Sequence, residues 1–553
     1  METSTRMPLK KTSVAPRSGA VAIPRDRLAG LKENWKNDLT SGFIVFLIAL
    51  PLCLGIAMAS GVPPITGIIS AIIGGLLVSQ INGSYVTVCG PAAGLIVVIL
   101  SAVDKLGGGE VGYHCTLAAI VLAGGLLFLA GVCKAGELGH FFPSSAVHGM
   151  LAAIGIIIMS KQIHIMLGVK PEAKEPLELI AEIPKSFAHM NPEIAIIGFV
   201  SLALLVAHGL IKNKTIKKIP APLAVVLVAV GLGCMFDLEH AHSYAIGGHS
   251  FALDPKKFLV VLPSNIAEGI THPDFSKVGT MAFWVAVVSI TLVQGIETLL
   301  SAAAVDRLDK FKRQSNLSRD MAAVGLGSTL SGMLGGLPMI AEIVRSSANV
   351  DNGARTRWSN FFHGACMLLF VALAASLIDK IPLAALAALL VFTGYRLASP
   401  RVFKETHEVG IEQTVIFVTT VVATLATDLL IGVSTGILTK LVLHIGRGAP
   451  ITGLFKSDLT VSEKSPGLFF VEVHGAAIFS NYISMKRRLD KIPPGCEVVV
   501  DLSAARLVDH TVMDKLHHYA HDYATGGGSL DIVGLARHDS SSHHPLAARR
   551  LRV

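Results

Sequence analysis

This sequence is short of charge. Only 16% of its 553 residues are Asp, Glu, Lys or Arg, while 52% are hydrophobic, and the mean hydropathy is +0.60. A soluble globular chain carries about a quarter charged residues, so a soluble enzyme or binding module is excluded. Aromatics are also sparse, at 6% with three Trp. The seven Cys (53, 89, 115, 133, 234, 366 and 496) form no CxxC and no metal-ligand spacing. Most lie within or at the ends of apolar runs and read as small core residues rather than a disulfide frame. The His residues of the polar stretch 237–277 form no HxxxH on a helical face, and no nucleophile stands paired with a base, so neither an enzyme nor a bound cofactor is expected. The basic stretch 1–37 has no apolar signal-peptide core and reads as a poorly ordered cytoplasmic tail. The net charge of +8 implies no nucleic-acid partner, because Lys and Arg cluster in short loops between apolar runs.

Those apolar runs are what the chain does have. Full spans fall at about 42–60 (broken at Pro51), 65–80, 114–133, 144–167, 193–211 and 221–236. A second set falls at about 280–304, 321–333, 360–378, 383–395, 411–427 and 430–445. Each set also holds a piece too short to cross a bilayer. The first is an extended 85–89 followed by a half-helix opening at Gly90-Pro91; the second is a half-helix near 340–349. Counting both, the chain has about fourteen segments with a half-helix third in each group of seven, the signature of an inverted repeat. Basic loops test the count. Lys212, Lys214, Lys217 and Lys218 follow segment 6; Arg307, Lys310, Lys312, Arg313 and Arg319 follow segment 8. Arg355 and Arg357 follow segment 10, Arg401 and Lys404 segment 12, and Arg447 segment 14. All follow even segments, which puts them with both termini on the cytoplasmic side. The Glu-rich stretch after segment 5 and the polar 237–277 fall outside. The expectation is an all-α, multi-pass protein of a bacterial-type inner or plasma membrane, in contact with lipid.

Two charged stretches lie inside this apolar frame. Gly335-Gly336 and Pro338 stop a helix before Met339, and a new one beginning near Ile340 carries Glu342 and Arg345 in its first turns. A helix that starts within the membrane aims free N–H groups and a positive dipole end at its starting point, a ready anion site. The alternative is an internal Glu342–Arg345 pair that only holds the fold. In segment 8, Gln294, Glu297, Thr298 and Ser301 recur at i, i+3, i+4 and i+7, one polar stripe on an apolar helix. A carboxylate with hydroxyls suits Na⁺, or a carboxyl that takes up H⁺ when desolvated. The alternative is packing glue between helices.

After Pro450 strands and helices alternate: 468–473 and 497–502 read as strands, 481–489 and 512–523 as helices, and 529–534 as another strand. A small α/β domain over 455–537 is expected, with a disordered tail at 538–553.

Several motifs together resemble the SulP sulfate-permease family. They are Pro63-Pro64-x-x-Gly67, Gly83-Ser84 with Gly90-Pro91, Ile219-Pro220-Ala221-Pro222-Leu223, Gly295-Ile296-Glu297-Thr298-Leu299-Leu300-Ser301 and Gly336-Leu337-Pro338 with Arg345-Ser346. Within about 38–447 the resemblance implies a seven-plus-seven inverted repeat with core and gate domains, elevator-type movement and a homodimer. It implies an inorganic anion, sulfate or bicarbonate, held between the half-helices. The first would offer Gly90, Pro91, Ala92 and Ala93; the second Ala341, Glu342 and Ile343, with Arg345 beside them. Glu297 matches the family's acidic coupling position, and Ser301 the hydroxyl one turn on. With Gln294 and Glu342 these are the candidate residues for a co-transported H⁺ or Na⁺, Glu297 and Ser301 being its ligands if it is Na⁺. The C-terminal domain is similar to the family's STAS domain, through Asp501-Leu502-Ser503 and Val508-Asp509-His510-Thr511, with Thr511 as a regulatory phosphorylation point. The chain departs from the family pattern at Ala92, at Glu342-Ile343 and at Pro51-Leu52, which leaves few hydroxyl ligands and more work for backbone N–H groups. Passive anion flow, exchange, and a non-transporting STAS-linked sensor remain alternatives.

Overall fold

The computed structural model describes residues 23–173, 175–211, 213, 219–246, 249–263, 266–525 and 527–552. Residues 1–22 of the basic tail and Lys212, Lys214, Lys217 and Lys218 lie outside the described residues.

The first seven segments are Arg27–Ala59, Ile65–Ile81, the half-helix Ile96–Lys105, Gly109–Val132, Ser144–Met166, Pro192–Leu210 and Ala221–Met235. The second seven are Met281–Leu308, Leu317–Met333, the half-helix Ile343–Asp351, Trp358–Ile378, Leu383–Leu397, Ile411–Ala426 and Leu429–Gly446. Among the described residues eight helices are long and apolar enough to cross a membrane by themselves. Segment 1 differs from expectation twice. It runs through Pro51 without a break, because one missing N–H is tolerated where neighbouring helices enclose the backbone. It also starts inside the basic tail, at Arg27. Asp26 caps it there, accepting from Arg27 N at 2.8 Å while bound to Arg357 at 2.7 Å.

Exchanging each segment with the one seven places on maps the packing onto itself. Segment 4 lies on segments 8 and 9, and segment 11 on segments 1 and 2. Segment 5 packs on 12 and 13, and segment 12 on 5 and 6. Segments 1–4 with 8–11 therefore form one bundle, and 5–7 with 12–14 a second. Loop contacts keep the parity read from the charges. Asn82, after segment 2, and Asp26 both bind Arg357, after segment 10. On the other face Lys380, after segment 11, pairs with Glu239, after segment 7. The stretch 237–277 is not all loop: His242–Ile246 and His249–Leu253 form a hairpin closed by Tyr244 stacked on Phe251.

The C-terminal domain is a seven-stranded sheet with two helices, Tyr482–Leu489 and His510–Thr525. Its tail corrects the expectation of disorder beyond His538. His538–Ser540 and Arg549–Leu551 are paired strands, and the second adds to Ala505–Val508. Ala547 and Ala548 are buried beside it, two small apolar residues in an otherwise basic tail.

Candidate functional site

Both half-helices are entered through a strand, and the two strands pair with each other. Val88–Gly90 runs antiparallel to Ile340–Glu342, with Val88 opposite Glu342, Cys89 opposite Ala341 and Gly90 opposite Ile340. The second half-helix thus starts at Ile343, not Ile340. In the first, Pro91 cannot donate and Ala92 is extended, so the turn begins at Ala93 and the α-helix at Ile96. The ladder satisfies backbone groups that would otherwise stand bare within the membrane. It also holds the two positive helix ends against one another. Side chains lock it in place: Ser346 Oγ accepts from Val88 N at 2.9 Å, and Asn349 Nδ2 donates to Val86 O at 2.8 Å. Asp320 Oδ1 accepts from Gly83 N and Ser84 N, anchoring the approach to the first strand.

Arg345 is fully buried. Its Nη2 donates to Pro91 O at 2.9 Å, while Nε and Nη1 have no hydrogen-bond partner among the described residues. Gly90 makes room for it, since a Cβ there would stand 2.6 Å from Nη1. The guanidinium reaches across from the second half-helix to the start of the first, adding fixed positive charge where the two meet. It makes no ion pair with Glu342. Glu342 is instead the N-cap of its helix, Oε2 accepting from Arg345 N at 3.1 Å. The internal Glu–Arg pair is therefore absent from this conformation.

The segment 8 stripe faces the same place. Glu297 is buried, its Oε1 has no hydrogen-bond partner among the described residues, and it lies so close to Gly94 that a Cβ there would be 1.6 Å away. Thr298 Oγ1 is buried and unbonded among the described residues, and Ser301 is half-buried one turn on. Gln294 plays a different part: its Nε2 donates to Met339 O at 2.8 Å and to Ser328 Oγ, bracing the approach to the second strand. Ala92 and Ala341 are buried at the two starts and Ala93 is half-buried. Ile343 is 40% exposed. A narrow crevice lined by Ile56, Ser60, Pro91, Ala92, Leu337 and Pro338 runs alongside.

Sequence reasoning missed Ser328, which accepts from Met339 N at 3.0 Å as well as from Gln294. The run Gly325-Leu326-Gly327-Ser328-Thr329-Leu330-Ser331-Gly332 marked a close-packed polar helix face. His363 was also missed. It is buried with both ring nitrogens unbonded among the described residues, within electrostatic reach of Arg345.

Two discontinuous segments meeting mid-bundle, in seven-plus-seven pseudosymmetry, define a multi-pass membrane transporter fold with a C-terminal α/β domain. The chain belongs to the sulfate permease family, whose sequence pattern matches residues 35–420. It is 24% identical over 512 residues to "Putative sulfate transporter YvdB" of Bacillus subtilis, spanning 91% of this chain and 92% of that protein. It is 24% identical over 420 residues to "Bicarbonate transporter BicA" of Picosynechococcus, spanning 75% and 71%. The transmembrane domain of a cyanobacterial bicarbonate transporter BicA superposes with a TM-score of 0.62 at 20% identity, covering 73% of this chain and 97% of that one. Murine Slc26a9 in the inward-facing state gives 0.64 at 15% identity over 90% and 85%. These likenesses carry the fold, the C-terminal domain included.

Proposed function

We propose that this protein is a secondary active transporter of a small inorganic anion, of the sulfate or bicarbonate class, driven by H⁺ or Na⁺. One observation carries the reading. Two half-helix starts and a buried guanidinium converge beside a buried carboxylate, and among the described residues two guanidinium nitrogens and the carboxylate Oε1 have no hydrogen-bond partner. An anion at this point is met by N–H dipoles and by Arg345. Glu297 and Glu342 add negative charge in the same low-dielectric region, where close like charges repel strongly. A proton or Na⁺ on that carboxylate pair removes the conflict, so each ligand raises the affinity of the other. Glu297, Thr298 and Ser301 are the oxygen donors for Na⁺. Passive flow needs no such unpaired carboxylate.

The two bundles suit an elevator, in which the one holding both half-helices moves against the other. By family likeness the protein works as a homodimer with both termini cytoplasmic. The STAS-like domain regulates or assembles it. Thr511 is its candidate phosphorylation point, but the hydroxyl is buried and accepts from Lys440 Nζ at 2.6 Å, so a kinase reaches it only after the domain is released.

Uptake of labelled sulfate and bicarbonate into proteoliposomes, with and without Na⁺ and pH gradients, tests the reading. Accumulation should follow one gradient, Arg345→Gln should abolish it, and Glu297→Gln should uncouple it while the protein stays folded. Glu342→Gln should flatten the dependence of anion affinity on the cation. Gradient-driven uptake by Glu297→Gln at the unmutated rate would contradict the coupling role.

A further inference from the structure

Away from the transport site, a cleft of about 450 Å³ opens where the C-terminal domain meets the membrane bundle. One wall is the exposed side of the helix Tyr482–Leu489 and its end, presenting Arg487, Arg488 and Lys491. Ser480 and Ser484 line the base. The other wall is aromatic, with Phe141 and Phe455 nearly parallel at 12° and their centroids 6.5 Å apart. Phe141 is pinned from behind by the buried Phe479, at 5.7 Å. Phe455 itself is 63% exposed and Ile451, close by in the chain, 72%.

The charges do not cancel. Arg487 Nε is paired with Glu137 Oε2 at 2.7 Å, and Arg488 Nη1 donates to Leu459 O at 2.7 Å. No ion pair involves Arg488 or Lys491 among the described residues, so three cations face one carboxylate. The level of the cleft matters as much as its charge. Phe141 immediately precedes segment 5, Phe455 closely follows segment 14, and both chain ends lie on the face that carries the basic loops. A bare aromatic and a bare Ile at that depth suit the boundary between headgroups and acyl chains, where aromatic rings and basic side chains collect. A free phosphate would use the cations but leave the apolar wall without a role.

We propose that this cleft binds the headgroup of an anionic phospholipid of the adjoining leaflet. The phosphate lies on Arg487, Arg488 and Lys491, and the glycerol and first acyl carbons lie against Phe455 and Phe141. The bound lipid then bridges the C-terminal domain to the bilayer. The site belongs to the membrane fold and stands whether or not the transport reading does.

The test measures affinity of the purified full-length protein in detergent for dioctanoyl phosphatidylglycerol, with dioctanoyl phosphatidylcholine and glycerol 3-phosphate as the other arms. Phosphatidylglycerol should bind, with the zwitterionic lipid and the bare headgroup each at least tenfold weaker. Arg488→Gln with Lys491→Gln should weaken binding about 25-fold, since each cation near an anionic surface contributes roughly a factor of five. Glu137→Gln, which frees Arg487, should tighten it several-fold, a gain that misfolding cannot imitate. Lys486→Gln, whose partner is Asp490, should change nothing. Double-variant binding within twofold of the unmutated protein overturns the site. Glycerol 3-phosphate binding as tightly as the lipid overturns the lipid assignment.

Discussion

Gly94 makes the room in which the carboxylate of Glu297 sits. A methyl group added there would stand 1.6 Å from Oε1 and 2.4 Å from the carboxyl carbon, so the carboxylate must move. Gly94→Ala should therefore displace the Glu297 carboxylate, the movable end of a flexible side chain, and lower transport several-fold while the protein stays folded. Gly125→Ala is the matched control: it lies in segment 4 with nothing within 4 Å of an added Cβ, and should transport normally. Initial uptake rates normalised to reconstituted protein decide between them. The role of Gly94 was half legible, because it ends the Gly90-Pro91-Ala92-Ala93-Gly94 stretch. What it makes room for was not, since Glu297 lies two hundred residues away in the chain.

At the level of elements, the strand pair between the half-helices and the joint between the two domains carry the structure. Ser328 serves the first by accepting from Met339 N and Gln294 Nε2 together. Ser328→Ala leaves buried donors unsatisfied, and should destabilise the protein by about 1–3 kcal/mol per donor, read from thermal unfolding in detergent. The joint is a buried polar cluster. Lys440 Nζ of segment 14 lies 3.1 Å from Asp509 Oδ2, and His444 Nε2 lies 3.6 Å from the same oxygen. Asp509 also accepts from Phe479 N at 2.9 Å and Val512 N at 2.6 Å. Burial alone would raise the pKa of Asp509; Lys440, His444 and these N–H groups more than offset it, and the value falls below the usual 3.8. The pair's contribution is therefore full above about pH 3.8 and is lost as pH falls through the depressed folded value. Lys440→Met removes one partner of a buried pair, at a cost of about 3–5 kcal/mol. It should release the C-terminal domain to proteolysis at neutral pH and move the acid release of any docked fraction to higher pH. An unchanged cleavage rate would remove the pair as the joint. None of this was legible in the sequence, where Lys440 is one cation inside an apolar run.

For the whole molecule, the parity of the loops is the testable property. Glu175 follows segment 5 and Lys310 follows segment 8, and both are exposed. A Cys placed at 175 should react with an impermeant thiol reagent from outside intact cells, and a Cys at 310 only after permeabilisation. Arg313 makes a poor probe, because it is buried against Asp309. The reverse labelling pattern would invert the topology and move the lipid cleft to the outer leaflet.

The sequence by itself determined the segment count, the repeat, which loops share a face and the α/β character of the C-terminal domain. These follow from local quantities: run length against bilayer thickness, Pro and Gly breaks, and the placement of Lys and Arg. It also marked Glu297, Glu342 and Arg345, because charge inside an apolar run is visible without a fold. Only the tertiary structure decided which of these groups are satisfied. It placed Arg345 under Pro91 rather than against Glu342, set Glu297 on Gly94, turned Gln294 into a brace, and seated the last strand on the sheet. The physical reason is that hydrogen bonding and desolvation are settled by the nearest atoms in space, and here those atoms are distant in the chain: Pro91 for Arg345, Gly94 for Glu297, Met339 for Gln294 and Val508 for Arg549.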